Sequence, residues 1–153
     1  MTEKKQSIFD LYERDLDTEE AGQWVRLTMG EVEVKIRSTA SDTFQKVLDK
    51  LQKPHLALIR KKVLPEDISR SILIRSISEG LLMDWKGIFD REGNEITFSS
   101  KSACDLLSQK AMSDLASEIL EAAQIKETFK REVIEDSEKN SEAGSDGQPN
   151  GAE

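Results

Sequence analysis

Leu82-Met83-Asp84-Trp85-Lys86-Gly87-Ile88-Phe89-Asp90-Arg91-Glu92-Gly93-Asn94-Glu95-Ile96-Thr97-Phe98 is the stretch around which the chain is organised. Period 2 fits it: Trp85, Gly87 and Phe89 fall on one strand face, and Ile96 and Phe98 on another. Between the two runs, Gly93 can take the positive φ that a tight reversal needs. The pattern predicts a short β-hairpin that turns the chain between two helical parts. Aromatic residues make up only 5% of the protein, so Trp85 and Phe89 mark a packed structural corner first of all. Nothing in the stretch is a reactive constellation.

Upstream, Ile68, Ile72, Ile77 and Leu81 form a stripe broadened by Leu73, Ile74 and Leu82. The stripe predicts a helix from about Glu66 to about Met83, wide enough in its apolar face to sit centrally. Pro65 suits the entry to that helix. Further back, Glu31-Val32-Glu33-Val34-Lys35-Ile36-Arg37 alternates throughout, and Gln23-Trp24-Val25-Arg26-Leu27-Thr28 alternates in part. With Gly30 between them, they are the clearest hairpin in the chain. Lys and Glu on its outer face discourage edge-to-edge pairing with other chains. Ser38-Thr39-Ala40-Ser41-Asp42 then supply cap residues for a helix from about Asp42 to Gln52, with Phe44, Val47, Leu48 and Leu51 on one stripe. Pro54 stops it, and a second short helix can follow from His55.

Residues 1–21 are polar apart from Ile8, Phe9, Leu11, Tyr12 and Leu16. Ile8, Leu11, Tyr12 and Leu16 stand at helical spacing, so a short amphipathic segment can dock there or form on a partner. Downstream, the serines at 99–102 cap a helix holding Ala103, Cys104, Leu106 and Leu107. Ser113-Asp114 starts a last long helix with Leu115, Ile119, Ala122, Ala123, Phe129 and Val133 along one side. Beyond about Asp136 no large apolar residue remains, so that tail cannot offset its ordering entropy and is expected to be disordered. The fold expected is α+β and mostly helical, with an N-terminal β-hairpin, central helices, a short second β-hairpin, C-terminal helices and an acidic tail. The divisions are a flexible segment 1–21, one mainly helical domain 22–136 and the tail 137–153.

Hydrophobic residues are 37% and charged residues 34% of the chain, with a formal net charge of −8. That balance argues against nucleic-acid binding as the main activity, because such binding rests on Lys and Arg neutralising phosphates. No apolar run approaches the roughly 20 residues that span a bilayer, so no membrane association is expected. Cys104 is the sole cysteine and His55 the sole histidine. Phosphate loops, dinucleotide fingerprints, zinc spacings and EF-hand loops are not found in the sequence, so no cofactor or metal is expected. No catalytic residues are assigned, and the expectation is a protein that is not an enzyme. An acidic, helical chain with apolar stripes suits holding another protein while its charge keeps the assembly soluble.

The order and spacing of several segments resemble the tail assembly chaperones of long-tailed bacteriophages. The residues that carry this are Glu20-Ala21-Gly22-Gln23-Trp24-Val25, Leu81-Leu82-Met83-Asp84-Trp85-Lys86-Gly87, and Asp90-Arg91-Glu92-Gly93-Asn94-Glu95-Ile96. The segments Ser99 to Leu107, Gln124 to Glu135 and Glu138-Lys139-Asn140 extend it. The resemblance implies binding to the tape-measure protein, which is kept soluble while tail-tube subunits assemble. It implies a tail-tube contact through a longer form made by ribosomal frameshifting, this chain being the short product. It also implies work in the host cytoplasm and departure before the virion is complete. The candidate client groove is Leu115, Ile119, Ala122 and Phe129, with Trp85 and Phe89 at its end, the same residues being equally placed to form the core. An acidic inhibitor or adaptor on a partner's basic surface is the alternative. Oligomeric state is not set by spacing, and a homo-oligomer stays open.

Overall fold

The computed structural model describes residues 5–130. Within them the fold is α+β and mostly helical, with one three-stranded antiparallel sheet. The expected N-terminal hairpin is present as β1 (Gln23–Arg26) and β2 (Glu33–Ile36), in the register Val25↔Val34. Alternation puts Val34 and Ile36 in the core with no exposure, while Trp24 and Arg26 face outward. The stretch from Leu82 to Phe98 supplies the third strand, β3 (Leu82–Lys86), which pairs with β2 in the order β1-β2-β3. Val34 therefore lies between Val25 and Trp85 on the inner face. On the outer face Lys86 Nζ stands 4.2 Å from the Trp24 ring centroid, a cation–π contact across the sheet.

The second reversal is smaller than its alternation suggests. It is one antiparallel bridge, Phe89↔Glu95, closed by Asp90 N donating to Asn94 O and Ile96 N donating to Ile88 O. The reason is Gly87, whose φ of +79° breaks the pleat. After it Ile88 points into the core and Phe89 points out, so Trp85 and Phe89 do not share a face.

The helices pack on the sheet's inner face and on one another. α3 (Asp42–Gln52) is capped by Ser41, whose Oγ accepts from Phe44 N. A 3₁₀ turn carrying Pro54 leads from it into α4 (Leu56–Arg60). α5 (Glu66–Ser76) changes into a π-helical turn, Ile77–Leu81, which delivers the chain to β3 at Leu82. The single long helix expected from Glu66 to Met83 is thus two helical forms and the start of a strand. Gly80 in the π turn lies against Phe44 and Val47, closely enough that a Cβ there would meet them at 3.2–3.3 Å. Ser76 and Ser78 are buried, and each hydroxyl donates back to a carbonyl of the preceding turn, Leu73 O and Ile74 O, both at 2.8 Å. α6 (Ser100–Leu107) carries a reciprocal capping box between Ser99 and Ser102. α7 (Ser113–Gln124) ends at Ile125, earlier than the apolar spacing suggests, and a 3₁₀ turn at Lys126–Phe129 follows. Val133 and the tail 137–153 lie outside the described residues.

The N-terminal segment is two short helices, α1 (Ile8–Tyr12) and α2 (Leu16–Ala21). Contrary to its grouping with a flexible segment, α2 is tied into the domain. Glu19 is buried and paired with Arg14, and Glu19 O accepts from Ser38 N. Glu20 reaches the start of α3, where its carboxylate accepts from the Thr43 amide and hydroxyl. It also lies 3.5 Å from Arg37 Nε. The Thr43 hydroxyl, above all, holds the Glu20 carboxyl below the usual carboxylate range. A folded-state pKa that is lowered contributes stability above the unfolded-state value and loses it as pH falls through the folded one. Glu20→Ala is therefore expected to cost about 1 kcal/mol at neutral pH, the size of a lost helix cap. The carboxylate is 41% exposed, so screening keeps the loss from growing further. Urea unfolding at about pH 7 and about pH 3 should show wild type and variant converging at the acid end.

Candidate partner-binding surface

The six residues assigned to a client groove separate when the chain folds. Trp85, Ile119, Ala122 and Phe129 are buried, Ile119 with no exposure at all. Leu115 is half-buried and packed against the same core. The Trp85 indole is doubly fixed: Nε1 donates to Ile96 O at 2.7 Å, and its ring meets the Phe98 ring edge-on at 5.2 Å. Only Phe89 is exposed, at 57%. As folded, Trp85, Ile119, Ala122 and Phe129 are core beneath the sheet with Leu115 packed against them, and Phe89 points away, so the six do not form an open groove. Helical spacing marks a buried face, and it does so equally for a face covered by the same chain and for one covered by a partner.

The densest run of open apolar side chains lies at the other end of the sequence, while Met29, Val63, Phe89 and Ile125 are exposed singly. All of α1 is exposed, with Ile8 at 59%, Phe9 at 66%, Leu11 at 52% and Tyr12 at 75%. Leu16, at 62%, continues the display. Ser7 caps the turn by accepting from Phe9 N at 3.1 Å. A five-residue helix with no buried side chain has nothing to offset its nucleation cost in water. Burying a side chain of this size returns on the order of 2 kcal/mol, so a few such anchors can hold a helix on a partner. Acidic residues, Asp10 and Glu13, accompany the apolar ones.

A second feature is a cleft of about 330 Å³ between the end of α3 and α5, with Leu51, Ile68 and Ile72 as its apolar lining. His55, Asp67 and Arg75 add polar groups. Arg75 also reaches Glu79, at 2.8 Å. Leu51 and His55, which line this cleft, belong to a segment from residue 50 to residue 62 that carries Lys50, Lys53, Arg60, Lys61 and Lys62 with no acid among them. It is an acid-free run in a chain that is acidic elsewhere.

The Asp90–Asn94 loop holds its own acid: Asp90 Oδ1 accepts from Glu92 N and Asn94 N. Among the described residues no group of three or more His, Cys, Asp or Glu side chains is placed to hold a metal ion. Cys104 is half-buried, with Sγ 3.8 Å from Ser108 Oγ. No helix among the described residues is long and apolar enough to cross a membrane.

The sequence model of a family described as YdaY prophage protein matches residues 39–140, well over half of the chain. The match starts at the approach to α3 and takes in every later described element, and α1, α2, β1 and β2 precede it. None of the curated proteins and none of the solved structures matches the chain.

Proposed function

The chain belongs to the family described as YdaY prophage protein and so is a phage protein, and on that premise we propose that it is a tail assembly chaperone. In this reading it binds the tape-measure protein, keeps it soluble in the host cytoplasm, and leaves before the virion is complete. Binding alone does the work, with no catalytic step. A longer, frameshifted form would bring tail-tube subunits to the same client.

The observation that carries the reading is the exposed apolar display of α1 and Leu16, where Ile8, Phe9, Leu11, Tyr12 and Leu16 are all open within one short segment. An amphipathic segment of this kind suits a client with long apolar helices, which aggregate unless their faces are covered. The test is co-expression with the tape-measure protein of the same phage. The reading predicts that the long protein is insoluble alone and is recovered in a soluble complex with the chain. Equal insolubility with and without the chain, and with its frameshifted form, would sink it. Leu11→Asp is expected to cut soluble recovery several-fold while far-UV circular dichroism and thermal stability stay at wild-type values, because Leu11 makes no buried contact. A partner held mainly by charge, as an acidic adaptor would hold it, would instead be released by moderate salt.

A further inference from the structure

We propose that the basic run 50–62 is the seat of the acidic segment 135–146 of the same chain. Lys50, Lys53, Arg60, Lys61 and Lys62 are all exposed. Among the described residues none of the five makes an ion pair, not even with the flanking acids Asp49, Glu66 and Asp67. A cation in the last turn of α3 or α4 offsets the helix dipole, and Lys50 and Arg60 do so. One at each end is enough for that, and the other three add repulsion. Lys62 is the sharper sign. It follows α4 in the left-handed region, with φ at +59°, its amide donating to Ile59 O and the Val63 amide to Leu58 O, both at 3.0 Å. Glycine fills such a position without strain. Lys62 is the one non-glycine residue at positive φ among those described. A charge held there against the preference of the backbone points to an anion.

The complement stands in the chain's own sequence. Segment 135–146 holds Glu135, Asp136, Glu138, Glu142 and Asp146 against the one base Lys139. The acidic stretch at the other end of the chain is committed elsewhere: Asp15 caps α2, and Glu19 and Glu20 pair with Arg14 and Arg37. Reach fits as well. Ala123 O, near the end of α7, accepts from Thr39 N at 3.1 Å, which sets that end beside the entry to α3. The basic run starts at the far end of α3, about 16 Å away at about 1.5 Å per residue. An extended chain spans about 3.3–3.6 Å per residue, so segment 135–146, which starts five residues past Lys130, covers the distance. Tethering makes the encounter intramolecular, at an effective concentration that a separate anion must exceed. The net charge of −8 works against a polyanion such as nucleic acid on the same run. With the acids seated, the domain offers no bare cationic face. The inference goes beyond the client reading and concerns the free chain, so either can fail alone.

The test is paramagnetic broadening in the full chain, with a nitroxide attached at Ser141→Cys and the native thiol removed by Cys104→Ser. Amide signals of residues 53–62 are expected to broaden several-fold more than that of Lys101, a lysine 85% exposed on α6. Raising the salt to about 1 M, where the Debye length is about 3 Å, should remove the difference. Lys53→Glu with Arg60→Glu and Lys61→Glu should remove it at low salt. Adding Glu135→Lys, Asp136→Lys and Glu138→Lys to that chain should bring it back. Broadening no stronger at 53–62 than at Lys101, or indifferent to salt and to the reversals, would overturn the proposal. So would broadening that arises between a spin-labelled chain and a separate isotope-enriched one, because the contact would then join two copies. Nucleic acid that co-purifies with wild type while 53–62 stays sharp would also overturn it, by assigning the run to another ligand.

Discussion

Phe129→Asp is expected to unfold the domain rather than to disable a binding surface. Phe129 is 3% exposed, in the 3₁₀ turn after α7, and belongs to the one apolar cluster that joins the sheet to the helices. Removing a buried phenyl ring costs about 3–5 kcal/mol, through lost burial and the cavity left behind. Putting a carboxylate there adds a desolvation cost of several kcal/mol, or forces the acid to take up a proton. Domains have about 5–15 kcal/mol of stability in total. The variant should therefore lose its cooperative urea transition and its near-ultraviolet dichroism at neutral pH. Phe129→Leu, which keeps most of the volume, should cost under about 1.5 kcal/mol and stay folded. A folded Phe129→Asp protein with a normal transition would show that the ring is not core.

The second large effect is expected at Gly87. Its φ is +79°, and a Cβ built there would stand 2.4 Å from Glu31 O and 3.1 Å from Glu31 C. Both are backbone atoms of the loop between β1 and β2, so the obstacle cannot swing away as a flexible side chain would. Gly87→Ala adds left-handed strain of about 1–2 kcal/mol to that clash, and relief requires moving β3 or the loop away from each other. The expected loss is at least about 3 kcal/mol, read as a lower urea midpoint. Gly93 is the control. Its φ is +87°, but nothing lies within 4 Å of a Cβ there. Gly93→Ala should cost only the strain, about 1–2 kcal/mol. Equal losses at the two glycines would mean that the approach of Glu31 to Gly87 does not constrain the fold.

These positions also show where the fold is legible in the sequence and where it is not. Val32, Val34 and Ile36 alternate with charged residues, and the strand forms where they lead. Ser41 and Pro54 bracket α3 because a cap and a break are local chemistry, and Ser99 does the same for the start of α6. Gly87 is legible as a glycine but not as a break, because only the neighbouring Glu31 carbonyl decides that the pleat must stop there. The π turn at Ile77–Leu81 has no local signal, since its reason is Gly80 packing on Phe44 and Val47. α2 reads as a polar tail because what holds it, Glu19 and Glu20 on Ser38, Arg37 and Thr43, is tertiary. The candidate site divides in the same way. The apolar spacing of Ile8, Leu11, Tyr12 and Leu16 is visible in the sequence, and so is that of Leu115, Ile119, Ala122 and Phe129. Which set the fold covers depends on long-range packing, and it covers the second. Thr28, on the β1–β2 loop, donates to Glu118 of α7 from both its amide and its hydroxyl, a tether between residues ninety apart in sequence that no periodicity announces.

In the proposed function the client is held by the exposed N-terminal helix and not by the last helix. This is tested most directly by placing a photo-crosslinking amino acid at position 11, or at the exposed Ser117 on α7, and irradiating cells that co-express the chain with the long tail protein. The account predicts a crosslink to the long protein from position 11 and none from position 117. A crosslink from 117 with none from 11 would contradict it, and would place the client on the outer face of α7.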